Sequence, residues 1–252
     1  MRWSDRMAKS SFVPFLSRVQ RKGWSCLILV VFFAAPAGQA FAQAAPAPRF
    51  VVVLDAAHGG DDSGGTLVLP SAQTEAEKAY TLALSVRLRS LLAARGIGVV
   101  TTRESDVTLD PQRRSEIANR AGAQACLTLH ASMSGNGVHL FISSLAPAEP
   151  GRLTPWKTAQ SGSVSRSIEL AGVLNSALVH AGVRVTIGRT ALTTIDSMTC
   201  PAVAVEVAPP ASVNDSAGAG IDDSNYESGV AEALAAGLLE WRATASAEGQ
   251  QP

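Results

Sequence analysis

Short apolar runs that end in a polar residue constrain the fold of this chain more than any other feature. Phe50 to Leu54 reads FVVVL, and comparable runs lie at 126–129 and 202–205. Residues that are apolar on both sides of a strand are typical of a parallel sheet covered by helices on both faces. Amphipathic helical patterns separate these runs. We therefore predict an α/β fold in a single domain, with a mainly parallel, twisted sheet of about six strands and helices on both faces.

The individual elements follow from apolar periodicity and from residues that start and stop helices. Asp110 and Pro111 are typical of a helix start, and Gly96 and Gly122 are typical of helix ends. The residues of the 138–143 strand alternate, which is expected near an edge of the sheet. In chain order the pattern predicts strand 50–54, helix 74–95, strand 98–102, helix 110–121, strand 126–129, strand 138–143, loop 146–162, helix 163–180, strand 184–187, strand 202–207 and helix 226–241.

The N-terminal segment has the composition of an export signal. It carries six basic residues and one acidic residue, and it contains an apolar run from Cys26 to Ala35 and a small-x-small cleavage pattern at Ala40 to Ala42. An uncleaved anchor is the alternative, and it would be the only link to a membrane. We predict a signal peptide at 1–42, a linker at 43–49, a catalytic domain at 50–245 and a disordered tail at 246–252.

The balanced total charge of the chain is the sum of two segments with opposite net charge. The total is 21 basic and 21 acidic residues, but residues 1–42 carry six minus one, or +5, and the remainder carries 15 minus 20, or −5. A domain with a net negative charge lacks the basic surface that nucleic-acid binding requires, so we expect no nucleic-acid partner. We expect a monomer exported to the periplasm or cell envelope.

Two cysteines, Cys126 and Cys200, lie beyond the predicted signal. Both lie in or beside apolar strand patterns, so buried free thiols and a single disulfide are both open interpretations. Neither has a second cysteine at metal-ligand spacing, which argues against a cysteine-based zinc site.

Three of the predicted strands end in a residue that can carry chemistry. His58 follows the first, His130 ends the third and Glu206 ends the last. Ligands of open α/β sheets gather at the carboxyl ends of the strands. An acid from the first helix, Glu75 or Glu77, would complete two imidazoles and a carboxylate, which is the ligand set of a hydrolytic zinc site.

Each of these residues also has an interpretation without chemistry. A histidine after a strand is often a loop residue bonded to backbone. Glu77 lies three residues after Thr74 and could be the acid of a helix capping box. Glu206 could pair with Arg103 or Arg189. Four such residues predicted at one edge of a sheet nevertheless favour a common site.

The order and spacing of six motifs resemble the zinc-dependent N-acetylmuramoyl-L-alanine amidases of the cell-wall hydrolase type, the amidase type 3 family. The resemblance spans about residues 50 to 242. The motifs are VVLDAAHGG at 52–60, EK at 77–78 followed by Leu82, TRESD at 102–106, IANRAG at 117–122, LTLHA at 127–131 and PAVAVE at 201–206.

This resemblance implies a role for each candidate residue. His58, Glu77 and His130 would bind one catalytic Zn2+, and the lysine that follows Glu77 selects it over Glu75. Glu206 would be the catalytic glutamate. The reaction implied is hydrolysis of the amide bond between N-acetylmuramic acid and L-alanine in peptidoglycan, and some members of the family require a protein activator.

The chain departs from the family pattern around the site. Ala56-Ala57 stands where Pro-Gly is usual, Ser132 where asparagine is common, and Ala208-Pro209-Pro210 where Gly-Phe follows the glutamate. A positive φ at Ala57 would be strained by its Cβ. These changes leave open the alternative of a catalytically impaired zinc-binding regulatory protein of the cell wall. A metallopeptidase that cuts within peptidoglycan stems is a second alternative, because it would share the zinc chemistry.

Two loops also bear on access to the predicted site. Some members of the resembled family carry an inserted helix that covers the zinc, whereas residues 144–162 of this chain are short and loop-like, so we expect an open site. Residues 209–223 are rich in small and acidic residues, and we expect them to be mobile and near the cleft.

Overall fold

The computed structural model describes residues 50–149, 153–210 and 220–248. The predicted signal peptide at 1–42 and the linker at 43–49 lie outside the described residues, as do 211–219 of the loop predicted near the cleft. In the described part of the chain, no helix combines the length and apolar character needed to cross a membrane.

The core of the fold is a six-stranded sheet whose central strands are parallel, with strand order β4-β1-β5-β8-β6-β7. Parallel pairing joins β4, β1, β5 and β8, while β6 is antiparallel to β8 and parallel to β7. A two-stranded antiparallel hairpin, β2-β3, stands apart from this sheet. The strands are β1 (Val51–Ala56), β2 (Thr66–Val68), β3 (Thr74–Ala76), β4 (Gly98–Thr101), β5 (Ala125–Ala131), β6 (Val138–Ser143), β7 (Val185–Thr190) and β8 (Ala202–Val207).

Helices cover both faces of the sheet, so the predicted α/β class and single domain are confirmed. On one face α1, α3 and α5 bury an apolar stripe; in α1 this stripe is Leu84, Leu88 and Leu92, four residues apart and fully buried. On the other face α2 and α4 cover a smaller cluster that includes Ile195 and Met198. The helices are α1 (Glu77–Ala93), α2 (Pro111–Ala121), α3 (Val164–His180), α4 (Thr193–Asp196) and α5 (Ser224–Glu248), with a 3-10 helix at Trp156–Gly162.

The predicted helix starts and ends differ in accuracy. At α2 the Asp110 carboxylate accepts a hydrogen bond from the Arg113 backbone at 2.7 Å, and Gly122 closes the helix with a φ of 57°. The predicted start of the first helix at Thr74 is wrong, because residues 74–76 pair with 66–68 as a hairpin and α1 begins at Glu77.

The strand predicted near an edge, β6, lies next to the edge strand β7, which agrees with the prediction. Two other elements differ from the prediction. The 146–162 segment, predicted as loop, contains the 3-10 helix at Trp156–Gly162. α5 continues to Glu248, beyond the predicted end of the domain.

The structure decides between the two interpretations of the cysteines. Cys126 near the start of β5 and Cys200 just before β8 form a disulfide across two neighbouring strands, and their Cα atoms are 6.1 Å apart. The bond joins positions 74 residues apart in the chain. Buried free thiols are therefore excluded for this pair.

We expect the disulfide to contribute to stability because it restricts the unfolded chain. The double variant Cys126→Ala/Cys200→Ala should lower the free energy of unfolding by about 2–4 kcal/mol. Urea titration followed by circular dichroism measures this. Dithiothreitol should produce a similar loss in the parent protein and none in the double variant, whereas equal midpoints for oxidised and reduced parent protein would contradict the expectation.

Candidate metal centre

Two histidines and a glutamate meet at the carboxyl end of the parallel strands. His58 lies in the loop after β1, Glu77 is the first residue of α1, and His130 lies near the end of β5. One ligand atom from each lies within 4.8 Å of the others. Glu77 Oε1 is 3.2 Å from His58 Nε2 and 3.0 Å from His130 Nδ1. The three predicted ligands are thus brought together by the fold.

Strand pairing and local backbone geometry explain why the two histidines meet. β1 and β5 are parallel neighbours, and Ala56 pairs with Leu129, so both strands end at the same edge of the sheet. His58 itself adopts a left-handed backbone with a φ of 62°, which is uncommon for a residue other than glycine. The two imidazole rings lie edge to face with their centroids 5.5 Å apart.

The β2-β3 hairpin delivers the glutamate to the histidines. The Glu77 backbone donates to the Gly65 carbonyl at 2.9 Å. In return, the backbone amides of Gly65 and Ala131 donate to the two Glu77 carboxylate oxygens at 2.8 and 3.1 Å. This carboxylate is therefore held at a fixed orientation from three sides, and its side chain is only 8% exposed.

The electrostatics of the cluster favour a carboxylate anion. Burial alone would raise the pKa of Glu77, but hydrogen bonds with His130 and His58 and with backbone amides outweigh it and hold the pKa far below its usual range. The hydrogen bond with Glu77 raises the pKa of His58, against the opposing effect of burial. The hydrogen bonds that Glu77 accepts from the two imidazoles and from the backbone amides thus compensate for the burial of its charge.

Asp62 fixes the orientation of the His58 ring. Its carboxylate lies 2.8 Å from His58 Nδ1, and the hydrogen bond with His58 lowers the pKa of Asp62. In a neutral ring, a proton on Nδ1 that is donated to Asp62 leaves the lone pair on Nε2 free for a metal ion, whereas the hydrogen bond of Nε2 with Glu77 requires the doubly protonated ring. Carboxylate partners of this kind hold metal-binding histidines in the required tautomer. Sequence reasoning missed Asp62, although its position four residues after His58 in a glycine-rich loop was a usable signal.

Close packing also surrounds the His58 ring. A Cβ placed on Gly64, whose φ is 67°, would lie 2.6 Å from His58 Cδ2 and 2.8 Å from Glu77 Oε2. Only glycine fits this position without displacing two of the three candidate ligands.

Glu206 lies beside the cluster and outside the ligand group. It pairs in register with His130 on the adjacent strand, so both side chains point to the same face of the sheet. With Glu77, His130 and the 132–134 loop, Glu206 lines an open cleft of about 470 Å³. Within the described residues, no hydrogen bond occupies its carboxylate, which is therefore available to a molecule in the cleft.

The structure removes several alternative interpretations. Glu77 does not belong to a helix capping box with Thr74, because the residue before α1 is Ala76 and Thr74 belongs to β3. Glu75 lies in β3 outside the ligand group, and burial and neighbouring acids raise its pKa. Neither proposed partner of Glu206 contacts it: Arg103 binds backbone carbonyls around β1, and Arg189 binds the carbonyls of Ser143 and Leu145.

The backbone accommodates the residues near the cleft that depart from the family sequence pattern. Ala57 is not among the residues with positive φ, and the left-handed residue of the loop is His58. The strain considered at Ala57 is therefore absent. After Glu206, the Ala208 backbone donates to Gly137, Gly137 donates to Pro209, and the Tyr226 hydroxyl donates to Ala208. The altered segment is thus tied to β6 and α5.

Comparison with known proteins identifies close relatives of part of the chain. It is 32% identical to N-acetylmuramoyl-L-alanine amidase AmiA of Escherichia coli (strain K12) over 122 residues, which is 48% of this chain and 41% of that protein. AmiA of Salmonella typhimurium is 30% identical over 122 residues, with the same coverage. The matched region therefore spans less than half the length of these relatives.

Solved structures share the fold at lower identity. The catalytic domain of CwlV, an N-acetylmuramoyl-L-alanine amidase from Bacillus (Paenibacillus) polymyxa var. colistinus, aligns with a TM-score of 0.57 and 24% identity. The alignment covers 76% of this chain and 97% of that one. An N-acetylmuramoyl-L-alanine amidase from Clostridium difficile 630 aligns with a TM-score of 0.57 and 22% identity, over 77% and 96% of the two chains.

The family comparison covers the whole folded domain. The model of the amidase type 3 family, described as N-acetylmuramoyl-L-alanine amidase, matches residues 52–240. This range runs from β1 to the last helix and contains all four candidate site residues. The chain therefore belongs to the N-acetylmuramoyl-L-alanine amidase family of type 3.

Proposed function

We propose that this protein is a zinc-dependent hydrolase that cleaves the amide bond between N-acetylmuramic acid and L-alanine in peptidoglycan. The observation that carries the proposal is the convergence of His58, Glu77 and His130 beside a free Glu206 carboxylate in an open cleft. Family membership supports the choice of substrate. In the proposal, the three converging residues hold one Zn2+ and Glu206 is the catalytic residue.

The donor set fits zinc. Two imidazole nitrogens and one carboxylate oxygen, with room for a fourth ligand, are typical of catalytic zinc sites. The three side chains lie close enough to hold a divalent cation when the imidazoles are neutral, and the contact of Asp62 with His58 Nδ1 favours the tautomer whose Nε2 can bind it. When bound, zinc supplies Lewis acidity that polarises a carbonyl and makes water more acidic.

Glu206 performs the proton transfers in this proposal. Its carboxylate takes a proton from the attacking water and passes it to the nitrogen of the departing L-alanine, so the amine leaves uncharged rather than as an anion. Placement on β8, next to His130, keeps the carboxylate beside the metal ligands. Regular strand pairing on both sides of β8 fixes its position before substrate arrives.

The setting of the reaction is also a proposal. Peptidoglycan lies outside the cytoplasm, so the substrate agrees with the export signal predicted at 1–42, and we place the enzyme in the periplasm or cell envelope.

A solved structure of the CwlD amidase from Clostridioides difficile, 20% identical, is a complex with the GerS lipoprotein. By analogy a protein activator belongs to the proposal. Residues 144–149 and 153–162 do not line the cleft, which supports an open site.

Removal of the metal tests the proposal most simply. Dialysis against 1,10-phenanthroline should lower the release of stem peptides from purified peptidoglycan at least about 100-fold, because the Lewis acid is lost. One equivalent of zinc should restore the activity. Mass spectrometry should find intact stems with a free L-alanine amine; stems cut internally would indicate a metallopeptidase instead, and no products with zinc and a candidate activator would indicate a regulatory protein.

Replacement of Glu206 separates proton transfer from metal binding. Glu206→Gln should lower kcat by about 10²–10⁴-fold because the amide cannot accept the water's proton. Zinc content measured by atomic absorption should remain one per chain. Glu240→Gln, an exposed glutamate of α5, is the matched control and should have normal activity. Full activity in Glu206→Gln would remove this residue from the mechanism.

A pair of glycine variants tests the packing of the metal centre. Gly64→Ala should weaken zinc binding at least about tenfold, because the new Cβ overlaps the His58 ring. Gly96→Ala has a similar positive φ of 75° but no atom within 4 Å of the new Cβ, so it carries the backbone strain alone. Competition with a chromophoric chelator measures both. Equal zinc affinities in the two variants would contradict the proposed packing.

A further inference from the structure

Two buried arginines lie directly behind the loop that carries His58. Arg103 follows β4 and is 3% exposed, and Arg114 lies in α2 and is 5% exposed. A buried guanidinium is destabilising unless all its donors find acceptors. Arg103 donates to the backbone carbonyls of Ala56, Ala57 and Lys78, and Arg114 donates to those of Ala56 and His58, all at or within two residues of a candidate metal ligand. We propose that Arg103, assisted by Arg114, is a positioning residue that sets the separation of His58 and Glu77 and thereby the affinity for the metal.

Arg103 bridges the two segments that carry these ligands. Its Nε donates to the Ala56 carbonyl at 2.9 Å, and its Nη2 donates to the Ala57 carbonyl at 3.0 Å. The same Nη2 donates to the Lys78 carbonyl at 2.7 Å. Ala57 directly precedes His58, and Lys78 directly follows Glu77. A single guanidinium therefore connects the residue next to one ligand with the residue next to another.

Thr81 closes this bridge from the helix side. Its hydroxyl is fully buried, donates to the Ala57 carbonyl at 2.9 Å and accepts from Arg103 Nη2 at 3.1 Å. Thr81 lies one turn after Glu77 in α1. Arg103 and Thr81 thus both donate to the Ala57 carbonyl, and these hydrogen bonds connect the first turn of α1 to the residue that follows β1.

Arg114 holds the same loop from the other side. It donates to the carbonyls of Ala56 at 2.7 Å and His58 at 2.5 Å, and it forms an ion pair of 2.8 Å with Asp55, whose side chain is 1% exposed. Together the two arginines bind three consecutive carbonyls, those of residues 56, 57 and 58. Fixing successive peptide planes maintains the left-handed φ of His58, which directs its ring at Glu77.

Arginine suits this bridge because it donates from two nitrogens at once. Nη2 binds the Ala57 and Lys78 carbonyls while Nε binds the Ala56 carbonyl. Lysine has one nitrogen on a shorter side chain, so it loses the Ala56 contact and does not reach the position of Nη2. Arg103 lies behind the backbone of the loop and is absent from the lining of the cleft, so its action on the metal is indirect. Groups that orient metal ligands in this way change metal affinity by about 10–100-fold when they are replaced.

The test measures zinc affinity on folded protein, and it rests on the metal site of the proposed function. In Arg103→Lys, confirmed as folded by near-ultraviolet circular dichroism, we expect the zinc dissociation constant to rise about 10–100-fold in a competition with a chromophoric chelator. Arg89→Lys is the matched control, because Arg89 pairs with Glu104 at the surface of α1 and should bind zinc normally.

A second pair of variants decides the question if Arg103→Lys fails to fold. Thr81→Val removes the shared hydroxyl and should weaken zinc binding several-fold, while Thr81→Ser keeps the hydroxyl and should restore it. Folded Arg103→Lys with zinc affinity within twofold of the parent, or equal affinities in Thr81→Val and Thr81→Ser, would overturn the inference. Failure of the parent protein to bind zinc would instead overturn the proposed function.

Discussion

The convergence of His58 Nε2 and His130 Nδ1 on one buried carboxylate oxygen is the interaction on which the site depends. Hydrogen bonds with the two imidazoles and with the backbone amides of Gly65 and Ala131 hold the Glu77 carboxylate at this point. In the proposed function, a zinc ion would replace the imidazole protons between these three side chains. The buried arginines, the Asp62 contact and the absence of a Cβ at Gly64 all serve to maintain this arrangement.

The fold supplies the candidate site residues from four segments of the chain. Parallel pairing of β1, β5 and β8 brings the His58 loop, His130 and Glu206 to one edge of the sheet. The β2-β3 hairpin then determines where α1 begins and so aims its first residue, Glu77, at the two histidines. Rigid strands and a helix start therefore position the candidate site residues, and an open cleft lies beside them.

Local sequence patterns predicted much of this architecture. The β-branched run at Phe50–Leu54 predicts a strand, and the stripe of Leu84, Leu88 and Leu92 predicts a helix. Both predictions succeed because the spacing of apolar residues is a property of the local sequence alone. The hairpin at Thr74 was missed because it depends on pairing with Thr66–Val68. The disulfide was undecided because only the adjacency of β5 and β8 brings Cys126 to Cys200.

The candidate site shows the same division between local and distant information. Polar residues at strand ends indicate His58, His130 and Glu206, and the resemblance of Glu77-Lys78 to the family motif selects Glu77 over Glu75. The sequence suggests Arg103 only as a partner of Glu206, because its contacts with residues 56 and 57 join positions 47 and 46 residues apart. Diffraction from zinc-loaded crystals at the zinc absorption edge tests the central claim most directly. We expect one anomalous peak bonded to His58, Glu77 and His130 at about 2.0–2.2 Å; a peak bonded to other residues, or none at this cluster, would contradict it.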